Sequence, residues 1–177
     1  MKFRPSMRSC GFAMVEVLVT MVLIVIALLG LAALQARTST VQMEVYQRAQ
    51  ALMLAQDMAD RISARKASAS SYVANNYGTG APQSCSGLTG FALDTCNWGN
   101  AIRGASEVLG TANVGTLIGG RGCISNLTGG QYAVIIVWQG LVSTKAPGVA
   151  CGQGGYGAET MRRAVVVPIG MADLNAT

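Results

Sequence analysis

From Val17 to Leu34 the chain runs through eighteen residues without one that ionises, and this run constrains everything placed around it. At about 1.5 Å of rise per residue, a helix of about 20 apolar residues crosses a hydrocarbon core of about 30 Å. One membrane-spanning helix is therefore expected. Glu16 stands immediately ahead of the run, where a carboxylate in lipid costs about 2 to 3 kcal/mol or more unless it finds a partner or an aqueous route. A plain anchor has no use for that charge, so it points to a role of its own.

The segment before the helix fixes its direction. Residues 1–11, MKFRPSMRSCG, hold Lys2, Arg4 and Arg8 and no acid, and only Arg37 follows closely behind the run. The positive-inside bias keeps this end cytoplasmic and sends the rest outward. A secretory signal would place a small-residue cleavage site after an apolar core of about 7 to 15 residues. Here the core is longer, and the small residue, Gly11, precedes it.

Composition narrows the function. A chain of 177 residues has room for one anchor and one small domain. The net charge of +5 falls to +2 without the first eleven residues, since ten basic and eight acidic residues remain. A nucleic-acid surface is thus not expected. Histidine is absent, which removes the usual general base, the commonest metal ligand and the common triads. We expect no catalytic residues, no metal and no cofactor. The Gly-rich stretches lack the Gly-Lys-Ser/Thr of a phosphate loop and read as loop-building.

Helical periodicity continues past the apolar run. Val41, Val45, Ala49, Leu52, Ala55, Ala59 and Ile62 recur at three- and four-residue steps, with Glu44/Arg48 and Asp57/Arg61 as i,i+4 pairs on another face. No proline interrupts residues 12–66, so a single helix of about 50 residues is expected. Gly30 is its one point of low helix propensity. The second half should lay the apolar stripe under a soluble domain. Residues 63–90 lose periodicity and read as a long loop, followed by a short helix from Asp94 or Thr95 carrying Trp98, Ile102, Ala105 and Leu109 to a stop at Gly110. Strands are expected at Cys123–Ser125, Gln131–Gln139 and Met161–Ile169. The fold class is then α+β, a small antiparallel meander with one face on the long helix.

Cys10 lies in the leader, which leaves Cys85, Cys96, Cys123 and Cys151 for the outward part, an even number in an oxidising compartment. Four cysteines permit three connectivities, and none of the spacings is CxxC, which disfavours zinc. Topology narrows the choice. A Gly-containing loop closes the 11-residue step from Cys85 to Cys96, and in an up-down-up meander the start of the first strand lies beside the start of the third, bringing Cys123 to Cys151.

The Gly11-Phe12 junction, with Glu16 and the apolar run behind a short basic leader, closely resembles the processing site of type IV prepilins. The resemblance implies cleavage after Gly11 by a prepilin peptidase, methylation of the new terminus at Phe12, and a role in subunit assembly for Glu16, which neutralises the amine of a neighbouring subunit or of its own chain. It implies a pilin fold: leader 1–11, membrane and assembly half of the helix 12–34, periplasmic half 35–66, and globular head 67–177. Roughly residues 10–65, with LLGLAALQ and LAQDMADRI, resemble PilV-type minor pilins, although Ile62-Ser63-Ala64-Arg65 stands where that family often continues with Arg-Ala-Asn.

The implied role is a minor pilin that joins other minor pilins and the major pilin, primes the pilus assembly machinery from the inner membrane, and supports twitching motility and adhesion. A minor pseudopilin of a type II secretion system shares these features and is the alternative. Mass spectrometry of assembled protein should find an N-methylated Phe12 terminus. An intact Met1, or cleavage beyond the apolar run, would contradict the prepilin reading.

Overall fold

A computed structural model describes residues 14–105, 108–110, 112–113 and 117–170. The architecture is α+β and pilin-like. One helix, α1 (Met14–Ala64), precedes a four-stranded antiparallel sheet of order β1-β4-β5-β6. The strands are β1 (Ala74–Tyr77), β4 (Arg121–Asn126), β5 (Gln131–Gln139) and β6 (Arg162–Gly170). A 3₁₀ turn at Lys66–Tyr72 leads into β1, α2 (Gly90–Ile102) follows β1 in the chain, and a small hairpin pairs β2 (Val108–Leu109) with β3 (Ala112–Asn113). The chain divides into two compact units, one ending at Gln42 and the other, the head, beginning at Met43 inside α1.

Two expectations need correction. The stretch 63–90 is not all loop, because it contains the 3₁₀ turn and β1. The strand ANNY is short, has two Asn of low β-propensity, and holds Asn76 at φ 67°, so its register with β4 is irregular. Second, α2 begins at Gly90 rather than at Asp94 or Thr95. The Thr95 hydroxyl donates back to Phe91 O at 2.9 Å within the helix. The helix stops before Gly104, which takes φ 65° and donates its N–H to Ala101 O. Leu109 therefore falls in β2 and not on the helix.

The sheet packs one face on α1 and α2 as expected, and its other face is covered too, because β5 is buried from Ala133 to Trp138 without alternation. Val134, Ile136 and Trp138 join Ile124 and Ile169 against α1 and α2. Ala133, Ile135 and Val137 point the other way, with Cys123, Cys151 and Tyr156. Strand periodicity of two divides the residues between two cores, and the long β5–β6 connection roofs the second.

Trp98 closes the first core. Its indole N–H donates to Leu54 O of α1 at 2.8 Å, its ring meets Tyr77 edge-on at 5.3 Å, and it is fully buried. Gly122 of β4 lies directly beneath, where an added Cβ would fall inside van der Waals distance of the ring and 2.8 Å from Ile102 Cδ1. Gly122→Ala should therefore lower head stability by about 1 to 3 kcal/mol through overpacking, read as a lower unfolding midpoint in detergent-solubilised protein. Gly30→Ala, with no atom within 4 Å of the new Cβ, should leave the head's midpoint unmoved. Equal midpoints for both variants would refute the packing argument.

Candidate functional site

The first half of α1 is apolar on every side. Leu18, Val22, Val25, Leu29 and Leu34 are all at least half exposed, and the most apolar window of eighteen residues has mean hydropathy 3.0 with none of it buried within the protein. This helix is long and apolar enough to cross a bilayer. Its few hydroxyls do not disturb it, since Thr20 donates to Val17 O at 2.8 Å and Thr38 to Leu34 O at 2.9 Å. Glu16 lies exposed in the first turn of α1, where a carboxylate complements the positive end of the helix dipole. Gly11 and Phe12 lie outside the described residues.

On α1 the expected stripe is buried at Ala55, Ala59 and Ile62 but not at its earlier positions. The covered residues are Gln47, Ala51, Ala55, Met58, Ala59 and Ile62. Val41, Val45, Ala49 and Leu52 are exposed instead. At about 100° per residue these four share one side of the helix, adjacent to the buried stripe. The buried side turns instead through Gln47, Ala51 and Met58, with Ala51 and Ala55 allowing the sheet and α2 to approach closely. The helix thus keeps an outward apolar side even where it carries a domain.

Three charge clusters hold the head together. Asp94 of α2 is almost buried, and its carboxylate accepts from Tyr72 Oη at 2.6 Å, Arg65 Nε at 2.9 Å and Arg61 Nη1 at 3.3 Å. Burial alone would push its pKa up, but the bonds from Tyr72, Arg65 and Arg61 outweigh that and hold it below the usual carboxylate range. Burial, then the bond to Asp94, pushes the Tyr72 phenol up to about 12. Arg61 also forms the expected i,i+4 pair with Asp57 at 3.0 Å.

Glu44 does not pair with Arg48 as its spacing suggests. It meets Arg163 of β6 at 3.2 Å and accepts the N–H of Leu141 at 2.7 Å. A partner fixed by a strand outcompetes a flexible neighbour on the same helix. Arg162, 2 % exposed, forms the third cluster, donating to Glu159 and to the carbonyls of Pro147, Val149 and Cys151. The burial of Arg162 and Asp94 was not legible in the sequence, because the groups that pair with them lie elsewhere in the chain.

Both disulfides join the residues that the topology argument paired. Cys85–Cys96 has a Cα separation of 5.8 Å and ties the loop to α2, and Cys123–Cys151 has 6.0 Å. The route of the second differs from the expected one. β4 and β6 lie on opposite sides of β5, so their starts are not adjacent, and Cys151 reaches Cys123 by way of the connection that crosses the face of β5. Among the described residues no three His, Cys, Asp or Glu side chains gather to hold a metal. No family model, curated protein or solved structure matches the chain.

The Asp94 cluster predicts a two-sided pH dependence. The depressed Asp94 value adds stability above the ordinary carboxylate value of 3.8, lost as pH falls through the lower folded value. The raised Tyr72 value adds stability that is whole below pH 10 and is lost as pH rises towards 12. Asp94→Asn should cost about 1 to 3 kcal/mol at neutral pH and flatten the acid limb of the unfolding midpoint. An acid limb identical to that of the parent would remove Asp94 as its cause.

Proposed function

We propose that this chain is a minor pilin, a non-enzymatic subunit that enters the inner membrane by α1, joins other minor pilins to prime type IV pilus assembly, and is then incorporated into the fibre beside the major pilin. The observation that carries this reading is Glu16, the one charge from Met14 to Ala36 of a helix otherwise apolar on all sides. Such a helix has two environments open to it, lipid and other helices of its kind. A lone carboxylate is costly in the first unless a cation joins it. Cleavage after Gly11 would create that cation, the Phe12 amine, and two opposite charges sharing one low-dielectric site attract far more strongly than in water.

The remainder of the molecule supports the same reading. The helix continues from its apolar half into the core of an α+β head stabilised by two disulfides, which suits an oxidising compartment outside the cytoplasm. The outward apolar side at Val41, Val45, Ala49 and Leu52 prolongs the contact surface beyond the membrane half.

Replacing Glu16 by Ala tests the proposal. Removing a charge from lipid is favourable, so the variant should insert and be cleaved as the parent is, while recovery in sheared pili falls sharply. Full incorporation of Glu16→Ala would show that the carboxylate has no assembly role and would remove the main support for this function.

A further inference from the structure

The irregular pairing of β1 is a bulge. Ala74 faces Ile124 and Tyr77 faces Gly122, so Asn75 and Asn76 together stand opposite Cys123. The extra residue is taken up at Asn76, whose φ of 67° lies in the left-handed region that Asn tolerates better than most side chains. Bulges re-aim side chains, often beside functional sites. Here both asparagines line a cleft of about 410 Å³ in the head, within the range of about 300 to 1,000 Å³ usual for small-molecule sites. Alternation along β4 brings Arg121 and Ser125 to the same cleft on either side of Cys123, and Gln153 reaches it from the β5–β6 connection.

The side chains of this cleft are unusually unoccupied. Arg61, Arg65, Arg162 and Arg163 each meet a carboxylate, but Arg121 meets none among the described residues. Its guanidinium lies over the Tyr156 ring at 5.2 Å and spends one donor on Gly155 O, at 3.4 Å. Among the described residues no acid lines the cleft, and the side chains of Asn75, Asn76, Ser125 and Gln153 form no hydrogen bond.

We propose that this cleft binds a carboxylate-bearing sugar of the uronic acid type, its carboxylate on Arg121 and its hydroxyls shared among Asn75, Asn76, Ser125 and Gln153. An ionised carboxylate only accepts hydrogen bonds and matches the guanidinium fork. A sugar hydroxyl both donates and accepts, and so do a side-chain amide and a serine hydroxyl. An inorganic anion would use only the donor half of those four groups and would find a single cation. The cleft lies wholly within the head, so this assignment is independent of the assembly role given to Glu16.

The test uses the full chain in a phosphocholine detergent, since glycoside detergents would compete. Saturation transfer to the sugar protons is titrated with glucuronate and with glucose, which lacks the carboxylate. Glucuronate should bind saturably with a millimolar Kd, and glucose at least about tenfold more weakly. Arg121→Gln should raise the glucuronate Kd by about tenfold. Because Arg121 also packs on Tyr156, Asn76→Gly is the second variant: glycine keeps the left-handed backbone and removes only the amide. Its unfolding midpoint should equal or exceed the parent's while the glucuronate Kd rises several-fold. Equal binding of glucuronate and glucose, parental Kd values in both variants, or no saturable transfer from millimolar glucuronate would overturn the proposal. Displacement of glucuronate by equimolar inorganic phosphate would overturn the sugar assignment and leave a simple anion site.

Discussion

The head depends on one large side chain set against several small ones. Trp98 reaches across from α2 to donate to the Leu54 carbonyl of α1, and its ring occupies the space that Gly122 leaves open. Neither contact forms unless α1 presents a shallow surface, and the buried positions Ala51, Ala55 and Ala59 provide it. Close packing turns this into strict geometry, because an extra methyl in such an interior forces its neighbours out of place. The sheet order, the position of α2 and the Asp94 cluster at the end of α1 all follow from how near these elements come.

A sheet of four strands leaves much apolar surface to cover, and α1 and α2 take only one side of it. The other side is roofed by a connection with little regular structure. Such a segment has many polar backbone groups and few apolar side chains, so its ordering must come from specific bonds. The buried Arg162 guanidinium collects the carbonyls of Pro147, Val149 and Cys151, Glu159 accepts from Gly154 N at 2.6 Å, and Tyr156 donates to Gly119 O at 2.8 Å. The Cys123–Cys151 bridge fixes the roof to β4 covalently. Closing a loop of this length stabilises a domain by about 2 to 4 kcal/mol.

One helix thus has two kinds of surface. Its first half has no inward side, and its second half buries only the narrow stripe from Gln47 to Ile62 while an apolar side still faces outward. In a monomeric soluble protein that outward side would be a liability. In the proposed pilus subunit it would be the surface on which assembly proceeds. Under the proposed function Glu16 would act on specificity as much as on affinity, since a helix without a matching cation would bury its charge unpaired.

The amino-acid sequence by itself determined the long helix, the apolar run with its single acid, the α+β class and the strand Gln131–Gln139. These are legible because each is a repeated local pattern: continuous apolarity, three- and four-residue steps, or a β-branched run bounded by glycine. The cysteine pairing followed from topology, though by a route the chain does not take. Tertiary structure alone decided how much of the expected stripe of α1 is buried, that ANNY becomes an edge strand, and that Glu44 binds Arg163 rather than Arg48. It also decided that Asp94 and Arg162 go inside. In each of these cases local propensity is weak or divided between options, and the outcome is set by groups far away in the chain that supply a partner, a close approach or a missing hydrogen bond.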